Sequence, residues 1–111
     1  MHRSHLGEFE QLVLLAILRL GEEAYAPAVS ELLERDASRE VSRGALYSSL
    51  ARLETKGFLT YEVEPGDDSR AGYRKRRFTV TAHGVSALRA ARDAWDRLSM
   101  GLEEILGGGR S

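Results

Sequence analysis

A small α+β domain, mostly α, is what the sequence predicts, on three observations. Apolar residues recur at helical spacing in three stretches before residue 57, the period changes to 2 between residues 59 and 80, and helical spacing returns after residue 81. A chain of 111 residues has room for one domain.

The first helix follows a short tail. Phe9, Leu12, Val13, Ala16, Ile17 and Leu20 share one face, and Gly21 is a natural stop. Leu14, Leu15 and Leu18 lie on the other side, so the helix is apolar nearly all round and needs cover from two directions. A chain this small is hard put to supply that. Leu14 and Leu18 are therefore read as facing a second copy.

Pro27 suits the first turn of a second helix, which carries Val29, Leu32 and Leu33 and fades in the polar stretch 35–40. Ser42 reads as the N-cap of a third, with Val41 and Leu46 placed as a hydrophobic staple. Its buried face is Leu46, Leu50 and Leu53, and Gly57 is its C′ residue. Arg43, Ser48, Ser49, Arg52 and Lys56 occupy the opposite, polar side.

Leu59, Tyr61 and Val63 then alternate with Thr60, Glu62 and Glu64 as in a half-buried strand. A loop over 65–72 leads to a second strand over 73–80, with Phe78 and Val80 on one face, so a hairpin is expected. Thr81 caps a last helix, in which Leu88, Ala91, Trp95, Leu98, Leu102 and Ile105 fall at alternating spacings of three and four. Such a seam needs a partner, either a second copy or the rest of the domain. It is assigned to a dimer interface together with Leu14 and Leu18.

Three short helices followed by a hairpin is the order of a winged helix-turn-helix, here with a C-terminal dimerisation helix. Residues 1–81 form the winged-helix domain with its N-terminal helix, 82–106 the dimerisation helix, and 107–111 a disordered tail. In this fold the helix after the turn enters the major groove of double-stranded DNA and the hairpin touches the backbone. Charge agrees with that division: residues 39–80 hold nine Lys and Arg against six Asp and Glu, while residues 1–38 hold three against seven. With an overall pI near 6.3, contact with nucleic acid has to come from that local surface.

Ser42, Arg43 and Gly44 open the third helix with small or polar side chains, where helix N-terminal amides favour an anion. Arg43, Ser48, Ser49 and Arg52 can reach base edges or phosphates, and Lys56 extends the same face. Tyr47 is read two ways, as a phosphate donor or as a rim residue against the second helix. Arg74, Lys75, Arg76 and Arg77 form the cationic run of the second strand, with Arg70 in the adjoining loop. They suit phosphate contact, against the alternative of a charged edge that deters aggregation.

Catalysis is not expected. No metalloprotease, nucleophile-elbow or phosphate-loop motif is present, His2 and His5 lie in the tail, and His83 is expected to be exposed in the first turn of the last helix. Without cysteine there is no thiol nucleophile or thiolate metal site, which suits a reducing cytoplasm. No cofactor or metal is assigned. The longest apolar run, 12–18, is far short of the roughly 20 residues that cross a bilayer, so no membrane is involved.

Three segments carry a family resemblance: LVLLAIL at 12–18, VSRGALYSSLARLE at 41–54 with Lys56 and Gly57 after it, and RRFTVTAHG at 76–84. They resemble the PadR family of transcriptional regulators over about residues 6 to 100. The resemblance implies a winged helix, a dimer made by the C-terminal part, and repression from palindromic operators by a homodimer. It adds weight to Tyr47 as a DNA-facing residue. Many relatives have proline where this chain has Ser48, and paired aromatics where it has Arg77 and Phe78, which makes this wing more basic. Its short C-terminal part matches the compact branch of the family. In some multidrug-responsive relatives an aromatic in this part of the dimer helix stacks planar compounds. Trp95 is thus either seam core or a ligand surface, and no effector is assigned. The competing class, a winged helix used only for protein binding, would lack the basic helix face.

Overall fold

A computed structural model describes residues 6–64 and 75–107. Helix α1 (Glu8–Leu20) leads through a 3-10 turn (Gly21–Glu23) to α2 (Ala26–Ala37) and α3 (Arg43–Thr55). Strands β1 (Leu59–Glu64) and β2 (Lys75–Val80) follow, then α4 (Ala82–Ser99) and the single turn α5 (Glu103–Leu106). The result is a mostly helical domain with a two-stranded antiparallel sheet, in agreement with the winged helix-turn-helix expected. Among the described residues no helix is long and apolar enough to cross a membrane.

The local chemistry that starts and stops each element is visible. Gly21 leaves α1 at φ 57, a left-handed value that suits a residue without Cβ. Pro27 sits in the first turn of α2, where its missing N–H costs no helical bond. The hydroxyl of Ser42 accepts the Ala45 amide at 3.1 Å and so caps α3. Gly57 turns the chain out of that helix at φ 81.

One core joins these elements. Val13, Leu14 and Ile17 of α1 meet Val29, Leu32 and Leu33 of α2, Leu46, Leu50 and Leu53 of α3, and Phe58, Leu59 and Phe78 of the hairpin. Each such side chain contributes about 1.5–3 kcal/mol by leaving water. Leu14 is wholly buried here, which corrects its assignment to a dimer interface. The outward face of α1 is carried by Leu15 and Leu18, about half exposed, so the helix is apolar on both sides but with Leu14 on the inner one.

The strands pair with Leu59 opposite Val80, Tyr61 opposite Phe78 and Glu62 opposite Arg77. Tyr61 and Phe78 meet edge to face at 5.8 Å on the core side. A contact that periodicity did not suggest closes the other edge of β2: the Phe78 amide donates to the Ala24 carbonyl at 2.9 Å, and Tyr25 bridges to Arg77.

Thr81 caps α4 by accepting the Gly84 amide at 3.0 Å, and its hydroxyl donates to the Gly57 carbonyl at 2.7 Å. A Cβ at Gly84 would lie 2.4 Å from the Phe58 carbonyl oxygen, so glycine lets the first turn of α4 rest directly on the core. His83 is exposed, as expected, and its ring lies 4.9 Å from that of Phe58. The helix expected over 82–106 ends at Ser99. Met100 is extended at ψ 130 and Gly101 is left-handed at φ 85, so Leu102 and Ile105 do not continue the stripe of Leu88, Ala91, Trp95 and Leu98. Leu88 and Ala91 are partly buried, whereas Trp95 and Leu98 are 63% and 81% exposed. Leu102 and Ile105 are also exposed.

Candidate nucleic-acid interface

The cap at Ser42 fixes where α3 begins, and its first two turns face outward. Ser42, Arg43, Gly44, Tyr47 and Ser48 are all exposed, and the space around Gly44 is open to 4 Å. Arg43, Leu46 and Tyr47 form one wall of an open cleft. The start of α2, with Tyr25, Pro27, Ser30, Glu31 and Glu34, forms the floor, and Lys75, Arg76 and Phe78 of β2 form the far wall. The start of the helix and the second strand of the hairpin thus face the same space.

The cations predicted for this surface divide into two sets. Lys75 lies over the Tyr25 ring with Nζ 4.8 Å from its centroid, and the Arg76 guanidinium lies over Tyr61 at 4.8 Å. Both remain exposed, held by an aromatic face that leaves the charge accessible. Lys75 and Arg77 share one face of β2 and Arg76 lies on the other, as alternation requires, but Arg77 is engaged by neighbouring carboxylates. Its Nη2 donates to Glu62 at 2.9 Å, and its Nε is 3.1 Å from Glu64, an ion pair by distance whose alignment is too poor for a hydrogen bond. Glu64 also accepts the Tyr25 hydroxyl at 2.9 Å, and this bond to a carboxylate, with burial, raises the phenol above its ordinary pKa.

The C-terminal half of α3 is arranged differently. Ser49, predicted to be exposed, is buried; its hydroxyl accepts Arg52 Nη2 at 3.2 Å, so it lines the inner side of the helix and not the polar face. Lys56 Nζ binds both oxygens of Glu10, at 2.8 and 3.0 Å, and Arg52 Nε reaches the same carboxylate at 3.4 Å. Lys56 is thereby turned toward α1, while much of the Arg52 side chain stays in solvent.

Glu10 is the residue that sequence reasoning missed. It is nearly buried and also accepts the Gly7 amide at 2.9 Å. Burial pushes its pKa up, but the hydrogen bond and charge of Lys56, the Gly7 amide and Arg52 together outweigh this, and the net shift is downward. A signal existed: Glu10 stands three, four and seven residues before Val13, Leu14 and Ile17, on the same buried stripe.

Several expectations fall outside the described residues: Arg70, Arg74, His2, His5, the loop at 65–72 and all of the 107–111 tail but Gly107. Among the described residues no group of three or more His, Cys, Asp or Glu is placed to hold a metal ion.

The pattern of the Transcriptional regulator PadR-like family matches residues 14–90. No curated protein sequence matches significantly. Among solved structures, a PadR-like transcription factor from Bacteroides fragilis is 28% identical, with a TM-score of 0.67 over 87% of this chain and 88% of that one. A PadR family transcriptional regulator from Eggerthella lenta is 27% identical, with a TM-score of 0.63 over 92% and 88%. A PadR-like regulator from Bacillus cereus, 23% identical, shares the fold with a TM-score of 0.68 over 91% and 93%.

Proposed function

The chain belongs to the PadR-like family of transcriptional regulators, and from that premise we propose that it is a repressor that binds a palindromic operator as a homodimer. Membership makes it a regulator and not an enzyme. The observation that carries the reading is the cleft in which Arg43 and Tyr47 at the start of α3 face Lys75 and Arg76 of the wing. Exposed side chains near a helix start suit base edges in the major groove, and accessible cations on a hairpin suit the flanking phosphates. Ser42, Gly44 and Ser48 complete the surface proposed to meet DNA.

The dimer rests on a different observation. Leu15 and Leu18 of α1 and Trp95 and Leu98 of α4 are large apolar side chains that this chain leaves exposed. Such apolar surface marks an interaction site, and two copies related by a two-fold axis meet the symmetry of a palindrome. Half-sites one helical turn apart would be separated by about 34–36 Å.

Selection of duplexes from a random pool by the purified chain, combined with light scattering, tests both parts. The expected result is an enriched inverted repeat and a mass twice that of the chain. A monomer at micromolar concentration, or a pool without enrichment, would overturn the proposal.

A further inference from the structure

The two ends of α3 are treated unequally by their surroundings, and Glu10 is the cause. This carboxylate is nearly buried, is contributed by α1, and holds side chains 42 and 46 residues away. Both are cations of the helix that faces the cleft. Lys56 meets it with two short contacts, and Arg52 is held sideways between Glu10 and Ser49. A cation so engaged carries its countercharge with it. Bringing DNA phosphate to it would first require parting it from a carboxylate that is itself nearly buried.

We propose that Glu10 is a positioning residue for DNA binding, which withholds Lys56 and Arg52 from the phosphate backbone and fastens the C-terminal half of α3 to α1. Attraction to DNA then comes from Arg43, Lys75 and Arg76, on one side of the cleft opening and the other. The effect is to lower sequence-independent affinity. That term scales with the number of phosphates neutralised, while contacts at the start of α3 are left in place. The same tether joins α3 to the helix whose outer side bears Leu15 and Leu18, so the proposed dimer face and the DNA face share one rigid strut.

The inference rests on the DNA-binding reading, and its test separates the two. Binding of the full chain to a random-sequence duplex, and to a duplex enriched by the wild type from a random pool, is measured by fluorescence anisotropy between 50 and 200 mM salt. Glu10→Gln keeps the size and an acceptor for the Gly7 amide but removes the charge. We expect it to steepen the slope of log K against log salt by about 0.9 for each cation released. It should also narrow the preference for the enriched duplex. Lys56→Gln in the otherwise unchanged chain should leave the slope as it was. A Glu10 with a purely structural role would weaken binding at every salt concentration without changing the slope, and that outcome overturns the proposal. So does a slope flattened by about 0.9 in Lys56→Gln, which would mean that Lys56 already meets a phosphate. If Glu10→Gln does not fold, the Lys56→Gln slope decides alone. A wild type that binds neither duplex would instead overturn the DNA-binding reading itself.

Discussion

Helices α1 and α4 both carry apolar side chains at helical spacing, yet they stand in opposite relation to the core. Five of the thirteen residues of α1 are buried, whereas in α4 only Gly84 is buried, where the helix rests on Phe58. A helix buries what its neighbours can cover, and α4 runs past the end of the domain with Trp95 and Leu98 in solvent. The two helices therefore serve different ends, cohesion within the chain for α1 and, beyond the first turn of α4, apolar side chains that the chain itself leaves uncovered.

The strongest way to break this contrast is to cut into each helix in turn. Leu14→Ala removes a fully buried side chain, and truncations of this kind cost about 2–5 kcal/mol. Leu98→Ala at the exposed position should stay within about 0.5 kcal/mol for the chain by itself. Urea unfolding at a concentration low enough to keep both variants monomeric reads the difference directly. Equal losses would mean that α4 is as much part of the core as α1.

Next in size is the one point where α4 does touch the core. Gly84→Ala puts a methyl group 2.4 Å from a backbone carbonyl that cannot rotate away, so the first turn of α4 has to shift. Overpacking of this sort costs about 1–3 kcal/mol. Thermal unfolding should show it, while Gly44→Ala, which has open space around it, should leave the midpoint close to that of the wild type.

An effect of comparable size, and one that depends on pH, belongs to the contact between α1 and α3. The pKa of Glu10 is lowered in the folded chain, so its carboxylate adds stability that is fully present above its ordinary value of 4.5 and is lost as the pH falls through the folded value. Glu10→Gln should cost about 1.5–3 kcal/mol at neutral pH, the range for hydrogen bonds to a charged group, reduced by the access of Arg52 to water. The gap between variant and wild type should close on acidification. A gap that stays constant down to pH 3 would show that the charge of Glu10 is not what stabilises the fold.

Least visible in the stability of the isolated chain, and largest in assembly, is Trp95→Ala. The exposed ring contributes little to the monomer, but its loss should shift the mass measured by light scattering toward one chain and weaken operator binding with it. A variant that remains dimeric would move the proposed interface to Leu15 and Leu18 of α1.

What the sequence made legible follows chemistry that acts over a few residues. The caps at Ser42 and Thr81, the proline in the first turn of α2 and the glycine exits at 21 and 57 all depend on neighbours within one turn, and all are where they were expected. Pairing of the two strands follows the same way from the alternation around Tyr61 and Phe78. Leu14 was placed on the wrong side because α1 has leucine on both faces, and a 3.6-residue period cannot choose between two apolar stripes. Ser49 is small enough to suit either environment. The break after Ser99 was passed over because a heptad count weighs only the apolar positions, although Gly101 stands inside it. Charge type alone did not reveal the intrachain partners of Lys56 and Arg77, since a cation does not announce its partner. For Arg77 the partner is across the strand at Glu62; for Lys56 it is 46 residues back in the chain.

The clasp of Ala24 and Tyr25 on β2 has a mechanical meaning. It grips the inner strand at Phe78 and Arg77, and the hairpin continues outward from there through Arg76 and Lys75. The wing is thus a cantilever, clamped at its base by backbone contacts and met beyond the clamp, on the side away from β1, by the Tyr25 ring under Lys75. Deuterium uptake should be slowest at the Phe78 amide and rise along β2 toward Lys75. The two accessible cations lie beyond the backbone clamp, so in the proposed complex with DNA they can adjust to a phosphate chain while the clamped end keeps the core undisturbed.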